Sequence, residues 1–207
     1  MTTTWTFDTS VATRFQQEAI TNIPDYEKVL RISLDYISKY SKESNIIEVG
    51  SALGHTVDLM LSAGYTNIFG IEASKDMIEK SLHKELILHS SRFPKIHCDI
   101  VLCNWTLHFI KDKIEYLESV YSNILPGGIL ILTEKTIQSE IVKNRYYQFK
   151  LDSGVSKEYI LEKEVKLLNS MYLNSTKWYL DTLHKVGFQS VEIINARYGF
   201  VTFLCHK

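Results

Sequence analysis

The run Asn45 to Gly54, N-I-I-E-V-G-S-A-L-G, constrains this chain more than any other feature. An apolar strand there runs into a turn bracketed by Gly50 and Gly54, and helical periodicity resumes at once. Glycine lets backbone approach a ligand where a side chain would collide, and the start of the following helix presents free N–H groups. A second apolar run, I-F-G-I-E, closes on Glu72 about 20 residues downstream, the spacing at which an acidic residue meets ribose hydroxyls in doubly wound sheets. Together they imply a nucleotide-sized pocket at the carboxyl edge of a parallel sheet.

A dinucleotide site favours G-x-G-x-x-G, whose middle glycine touches a pyrophosphate, and here Ala52 holds that place. Glu48, two residues before the first glycine, would repel a diphosphate and suits a cationic or amine-bearing ligand. S-adenosylmethionine meets these demands. It offers a ribose to Glu72, an adenine for apolar walls, a positive sulfonium, and an amino group for Glu48.

With 207 residues, 45% of them hydrophobic, the chain suits one globular domain, residues 1–207, with an N-terminal helical segment, 7–40. A net charge of −1 supplies no field to draw in a polyanion, so no direct nucleic-acid binding is expected. The opening M-T-T-T-W-T-F-D has no basic and apolar leader pattern, and no stretch approaches the ~18 apolar residues that span a bilayer. The expectation is a cytoplasmic protein with no membrane partner. Cys98, Cys103 and Cys205 lack C-x-x-C spacing and the histidines form no H-x-x-x-H pair, so no metal is expected.

Apolar positions Val29, Leu30, Ile32, Leu34, Tyr36, Ile37 and Tyr40 recur at helical spacing after Pro24 and should cover one sheet face. A helix over His55 to Ala63 stops at Gly64, and a strand follows over Asn67 to Ile71. Ser74 reads as the N-cap of a helix ending near Lys84, with a brief strand over Glu85 to His89. The run D-I-V-L-C-N-W from Asp99 reads as a central strand buried on both faces. A helix carrying Ile114, Leu117, Val120, Tyr121 and Ile124 precedes the turn L-P-G-G, and the sheet resumes over Ile129 to Thr133. After a helix over Trp178 to Val186, the strands Val191 to Ile194 and Gly199 to Cys205 are too close for a parallel crossover and must form an antiparallel hairpin. The expected fold is α/β: a doubly wound, seven-stranded, mostly parallel, Rossmann-like sheet ending in that hairpin. Gln138 to Leu173 stands apart as a polar and aromatic insertion, 138–173. Its stripe of Leu161, Val165, Leu168 and Met171 is suited to capping the pocket or binding a second subunit.

The segments F-D-T-S-V-A-T-R-F, I-P-D-Y, E-V-G-S-A-L-G, I-E-A-S-K-D-M-I-E-K, N-W-T-L-H-F-I, L-P-G-G-I-L-I-L-T-E-K and L-H-K-V-G-F run from Phe7 nearly to the C-terminus. In them the chain resembles the carboxy-S-adenosylmethionine synthases, a branch of the class I methyltransferase folds that acts in tRNA wobble-uridine modification. The resemblance implies that Tyr26, Gly50, Ser51, Ala52, Glu72, Ala73 and Asn104 face an adenosylmethionine-derived ligand: S-adenosylmethionine, S-adenosylhomocysteine or carboxy-S-adenosylmethionine. Glu48, Gly54, Met77 and Trp105 join them as expected cofactor-binding residues. Where the family has an acidic residue for adenine this chain reads L-H-S-S-R-F-P, so Ser90 and Ser91 stand in its place. Glu164 occupies the expected position of the family's carboxylate-binding arginine, where it would disfavour a carboxylate ~4 Å away by about 1 kcal/mol in water and ~4 in a partly buried site.

Three functions are expected in order. The first is S-adenosylmethionine-dependent methyl transfer to a small-molecule acceptor, with His108 or Tyr146 as the candidate base if the nucleophile carries a proton. The second is carboxy-S-adenosylmethionine synthesis from S-adenosylmethionine and a donor such as prephenate. The third is a noncatalytic cofactor-binding partner subunit. Family likeness and the aromatic insertion also imply a homodimer.

Overall fold

The computed structural model describes residues 5–207. Seven strands form one sheet in the order β3-β2-β1-β4-β5-β7-β6. They are β1 (Ile46–Val49), β2 (Ile68–Glu72), β3 (Ile87–His89), β4 (Cys98–Asn104), β5 (Ile124–Lys135), β6 (Ser190–Arg197) and β7 (Phe200–His206). The first five pair in parallel, and β7 lies antiparallel between β5 and β6. This is the doubly wound sheet with a terminal hairpin that the spacing implied.

Alternate residues of β4 explain the two-sided burial. Ile100 and Leu102 pack with Ile37 of α2 (Tyr26–Ile37) and with Val57 and Met60 of α3 (His55–Ser62). Val101 and Cys103 point the other way, into a cluster with Leu117 and Val120 of α5 (Lys113–Asn123) and Tyr179 and Leu183 of α8 (Thr176–Val186). All four β4 residues are at most 3% exposed, so each contributes close to a full side chain of apolar burial, about 1.5–3 kcal/mol for the larger ones.

Several boundaries differ from expectation. The helix capped by Ser74 is α4, Lys75–Glu79, much shorter than a helix reaching Lys84; a 3-10 turn at Lys84–Leu86 then feeds β3. β5 begins at Ile124, and Pro126, Gly127 and Gly128 are absorbed where the register against β4 jumps between Cys98 and Ile100. The hairpin strands extend until only Tyr198 and Gly199 connect them. Both have left-handed backbones, φ 49° and 79°, which suit the twist of a two-residue hairpin.

Two elements lie beyond the sheet's carboxyl edge. Helix α1 (Thr9–Asn22) is capped by Asp8, whose side chain accepts from Val11 N. The 138–173 insertion forms α6 (Glu140–Asp152) and α7 (Lys157–Leu168). The stripe read from its sequence divides: Leu161, Val165 and Leu168 are exposed, whereas Met171, just past the end of α7, lines the interior cavity together with Lys163 and Leu167, and Ile160 is buried. Among the described residues no helix is long and apolar enough to cross a membrane.

Candidate active site

The carboxyl ends of the five parallel strands, β1 to β5, build one side of a cavity of about 450 Å³. After β1 the chain turns back so that Gly50 N and Ser51 N both donate to Ile71 O of β2, at 2.8 and 3.1 Å. Gly50 has φ 73°, and a Cβ there would fall on the Thr106 side chain, so only glycine fits. Ala52 follows with φ 48° and Trp105, after β4, with φ 55°. Left-handed backbone at residues with a Cβ costs of order 1–3 kcal/mol and concentrates at ligand-binding turns.

Glu72 ties two of these turns together. Its carboxylate accepts from Ala52 N at 2.9 Å and from Ser74 N at 2.8 Å, one bond on each oxygen. Each oxygen keeps a lone pair for a ligand hydroxyl.

The cavity wall holds polar atoms that the protein leaves unpaired. Among the described residues the buried side-chain atoms without a hydrogen-bond partner are Asn22 Oδ1, Glu48 Oε2, Asn104 Nδ2 and Oδ1, and Trp105 Nε1. Every one belongs to a residue that lines this cavity. A buried polar atom left unpaired costs about 1–3 kcal/mol, so their convergence on one space marks a polar ligand's seat. They comprise donors and acceptors side by side, as a group carrying both an ammonium and a carboxylate requires. Burial pushes the pKa of Glu48 up to about 8; the Thr56 and Ser51 hydroxyls pull it down and Glu72 adds to the rise. A cationic amine beside Glu48 restores its charge.

Of the residues expected to bind the cofactor, Tyr26, Glu48, Gly50, Ser51, Ala52, Glu72, Ala73, Ser90, Ser91, Asn104 and Trp105 all line the cavity. Gly54 and Met77 do not. Gly54 is the left-handed N-cap of α3, packed toward Ser81, and Met77 is buried on the inner face of α4. Both shape the turn from behind. Tyr26 and Trp105 stack on each other, centroids 4.8 Å apart and planes 27° from parallel, and so form one aromatic wall.

The two candidate bases separate. His108 lines the cavity and is buried, with Nδ1 at 3.0 Å from Glu134 Oε2. Glu134, at 0% exposure, also accepts from Leu107 N at 2.8 Å and from the Tyr179 hydroxyl at 3.0 Å. With Nδ1 engaged by the carboxylate, Nε2 is the nitrogen left to accept a proton. Tyr146 is not available for that role. Its hydroxyl donates to Asn22 O at 2.9 Å, and burial pushes its pKa far above neutrality.

Glu164 does not line the cavity; Lys143 Nζ holds it at 2.5 Å and Tyr147 donates to it. The lysines on the wall are Lys135, Lys150 and Lys163, brought together from β5, α6 and α7. Phe7, Val11, Phe15 and Ala19, around α1, close the cavity opposite the sheet. Only the motif F-D-T-S-V-A-T-R-F signalled that segment, since the helix has few buried residues.

A family model described as a methyltransferase domain matches residues 17–191. The carboxy-S-adenosyl-L-methionine synthase of Desulfotalea psychrophila is 30% identical, covering 97% of this chain and 91% of the relative. The synthase of the same name from Helicobacter hepaticus is 28% identical over 97% and 94%. Among solved structures, a SAM dependent methyltransferase from Archaeoglobus fulgidus superposes with a TM-score of 0.67 at 14% identity, covering 93% of this chain and 99% of that one.

Proposed function

Because the chain belongs to the methyltransferase domain family, in the branch of the carboxy-S-adenosyl-L-methionine synthases, we propose that it is an S-adenosylmethionine-dependent enzyme acting on a small molecule held beneath α6 and α7. The observation that carries this reading is the convergence of unpaired Glu48, Asn104 and Trp105 atoms beside the Gly50 turn. Glu48 and Asn104 suit the amino acid end of the cofactor, Glu72 the ribose, and the Tyr26–Trp105 wall the apolar parts. When bound, the cofactor supplies an activated methyl group on a positive sulfonium.

The chain's own residues do the rest. Phe7, Phe109, Tyr116 and the lid helices exclude water, and the fixed turns orient the two reactants, which is worth about 7–11 kcal/mol in a well-aligned displacement. Where the acceptor carries a proton, His108 Nε2 takes it and Glu134 stabilises the resulting imidazolium through Nδ1–H. The direct test is calorimetry with S-adenosylhomocysteine followed by turnover of S-adenosylmethionine with metabolite pools. No binding of either adenosyl compound sinks the proposal.

A second reading, synthesis of carboxy-S-adenosylmethionine, is favoured by the pairing of Glu164 with Lys143, which withdraws the carboxylate that would oppose an anionic product. Mass spectrometry of ligand released from the purified protein separates the two: a carboxylated adenosylmethionine mass supports the second. Outward-facing Leu161, Val165 and Leu168 favour self-association through α7, with light scattering as the check.

A further inference from the structure

The turn between α1 and α2 carries two unfavourable local choices on one residue. Asp25 occupies the N-cap of α2, its carbonyl accepting from Val29 N at 2.8 Å, yet its side chain makes no capping bond. Its backbone is left-handed, φ 59°. An aspartate at that place ordinarily accepts from the first turn of its helix with its own backbone extended, and a Cβ disfavours the left-handed form. Both losses fall immediately before Tyr26, whose ring stacks on Trp105 in the cavity wall.

What offsets them comes from the far end of the chain. Arg197, the last residue of β6, donates from Nη1 to Asp25 Oδ1 at 2.6 Å, and the carboxylate it meets is only 12% exposed. The guanidinium is itself held: it lies 4.9 Å from the centroid of the Tyr198 ring in the hairpin turn and 5.6 Å from that of Phe149 on α6. Arg197 also pairs in register with Phe200 of β7, a residue of the cavity wall. A second tie joins the same two elements, since Lys28 Nζ stands 3.8 Å from Asp25 Oδ2 and donates to Asn195 Oδ1 at 3.0 Å.

A surface ion pair alone is a weak stabiliser. Here it is joined to backbone strain that local energetics do not explain, and such strain concentrates where a neighbouring side chain is held for a ligand. The neighbour is Tyr26. Turning Asp25 out of the left-handed region would rotate the start of α2 and carry the Tyr26 ring off Trp105.

We propose that Arg197, acting through Asp25, is a positioning residue for the cofactor wall: it holds the α1–α2 turn in the left-handed form that stacks Tyr26 on Trp105. Neither Arg197 nor Asp25 lines the cavity, so the effect is indirect. The inference rests on the reading of the cavity as an adenosyl sulfonium site only for its consequence, cofactor affinity; the stack is a property of the protein itself.

The test pairs calorimetry with S-adenosylhomocysteine and circular dichroism of the exciton-coupled Tyr26–Trp105 band, identified as the band lost in Tyr26→Leu. Arg197→Met keeps the stem against the Tyr198 and Phe149 rings and removes the guanidinium; affinity should fall about three- to fivefold and the band should weaken. Arg197→Lys keeps the charge and should restore most of both. Glycine adopts left-handed backbone freely, so Asp25→Gly should bind within about twofold of the parent, whereas Asp25→Ala, strained and untied, should lose about tenfold or more. The same freedom predicts non-additivity: adding Arg197→Met to Asp25→Gly should cost little further affinity. Parental affinity and band in Arg197→Met overturn the inference, as does an equal loss from Arg197→Met in the parent and in Asp25→Gly. Where the Arg197 variants do not fold, Asp25→Gly and Asp25→Ala decide, equal affinities overturning it. Failure of the parent to bind S-adenosylhomocysteine strikes the cofactor reading instead, and the band, measured without ligand, still decides the positioning.

Discussion

Glu134 Oε2 lies 3.0 Å from His108 Nδ1 in a region closed to solvent, so a carboxylate at the end of β5 fixes the orientation of an imidazole that follows β4. The arrangement leaves Nε2 as the basic nitrogen. His108→Ala should lower kcat by about 10²- to 10⁴-fold without changing affinity for S-adenosylhomocysteine. Glu134→Gln keeps the shape, removes the charge, and should lower kcat and displace the pH–rate profile together. Parental kcat and profile in both variants would remove His108 from the mechanism.

Glu48 makes stability depend on pH. Its folded pKa of about 8 lies above the ordinary value of 4.5, so protonation favours the folded state. That contribution is complete below about pH 4.5 and is lost as pH rises through about 8, at up to about 1.4 kcal/mol per unit. Chemical denaturation of the unliganded protein should show this decline, and Glu48→Gln should flatten it. A cationic amine beside Glu48 restores the charge, so cofactor binding near neutrality should release a proton, measurable as a buffer-dependent heat.

Gly50 and Gly64 are matched controls. Both have positive φ, 73° and 89°, but a Cβ on Gly50 meets Thr106 while a Cβ on Gly64 meets nothing within 4 Å. Gly50→Ala should destabilise by roughly 2–5 kcal/mol and abolish S-adenosylhomocysteine binding, because strain and steric overlap add. Gly64→Ala should cost only about 1–2 kcal/mol and leave binding intact. Equal losses in the two denaturation midpoints would mean that close packing at the turn has no special role.

Asn104 separates stability from binding. Its amide is buried with neither oxygen nor nitrogen paired. Replacement by alanine removes both unsatisfied atoms, so the unliganded protein should be as stable as the parent or more so. Affinity for S-adenosylhomocysteine should fall by about tenfold or more, the equivalent of at least about 1.4 kcal/mol. A destabilised variant with parental affinity would show that Asn104 serves the fold alone.

The features legible in the sequence are those whose physics is local. Gly50 and Glu72 stand at fixed spacing because a strand, a turn and a helix have fixed lengths, and the unbroken apolar run of β4 reports burial on both faces. The hairpin was legible because too few residues separate its strands for any other connection. The α7 stripe shows the limit of such reading. Leu161, Val165 and Leu168 do share a face, but periodicity does not say which face meets the cavity, and Lys163, Leu167 and Met171 do.

By itself the sequence determined the doubly wound sheet, the nucleotide-sized turn after β1 and the acidic residue beside it, since each follows from steric rules acting over a few residues. Only the tertiary structure decided that Glu134 orients His108, that Glu164 is drawn to Lys143, and that Lys135 and Lys150 share one tyrosine ring. Those relationships join segments far apart along the chain. Their energies depend on burial and on distances of a few ångströms, quantities that exist only once the helices have closed over the sheet's edge.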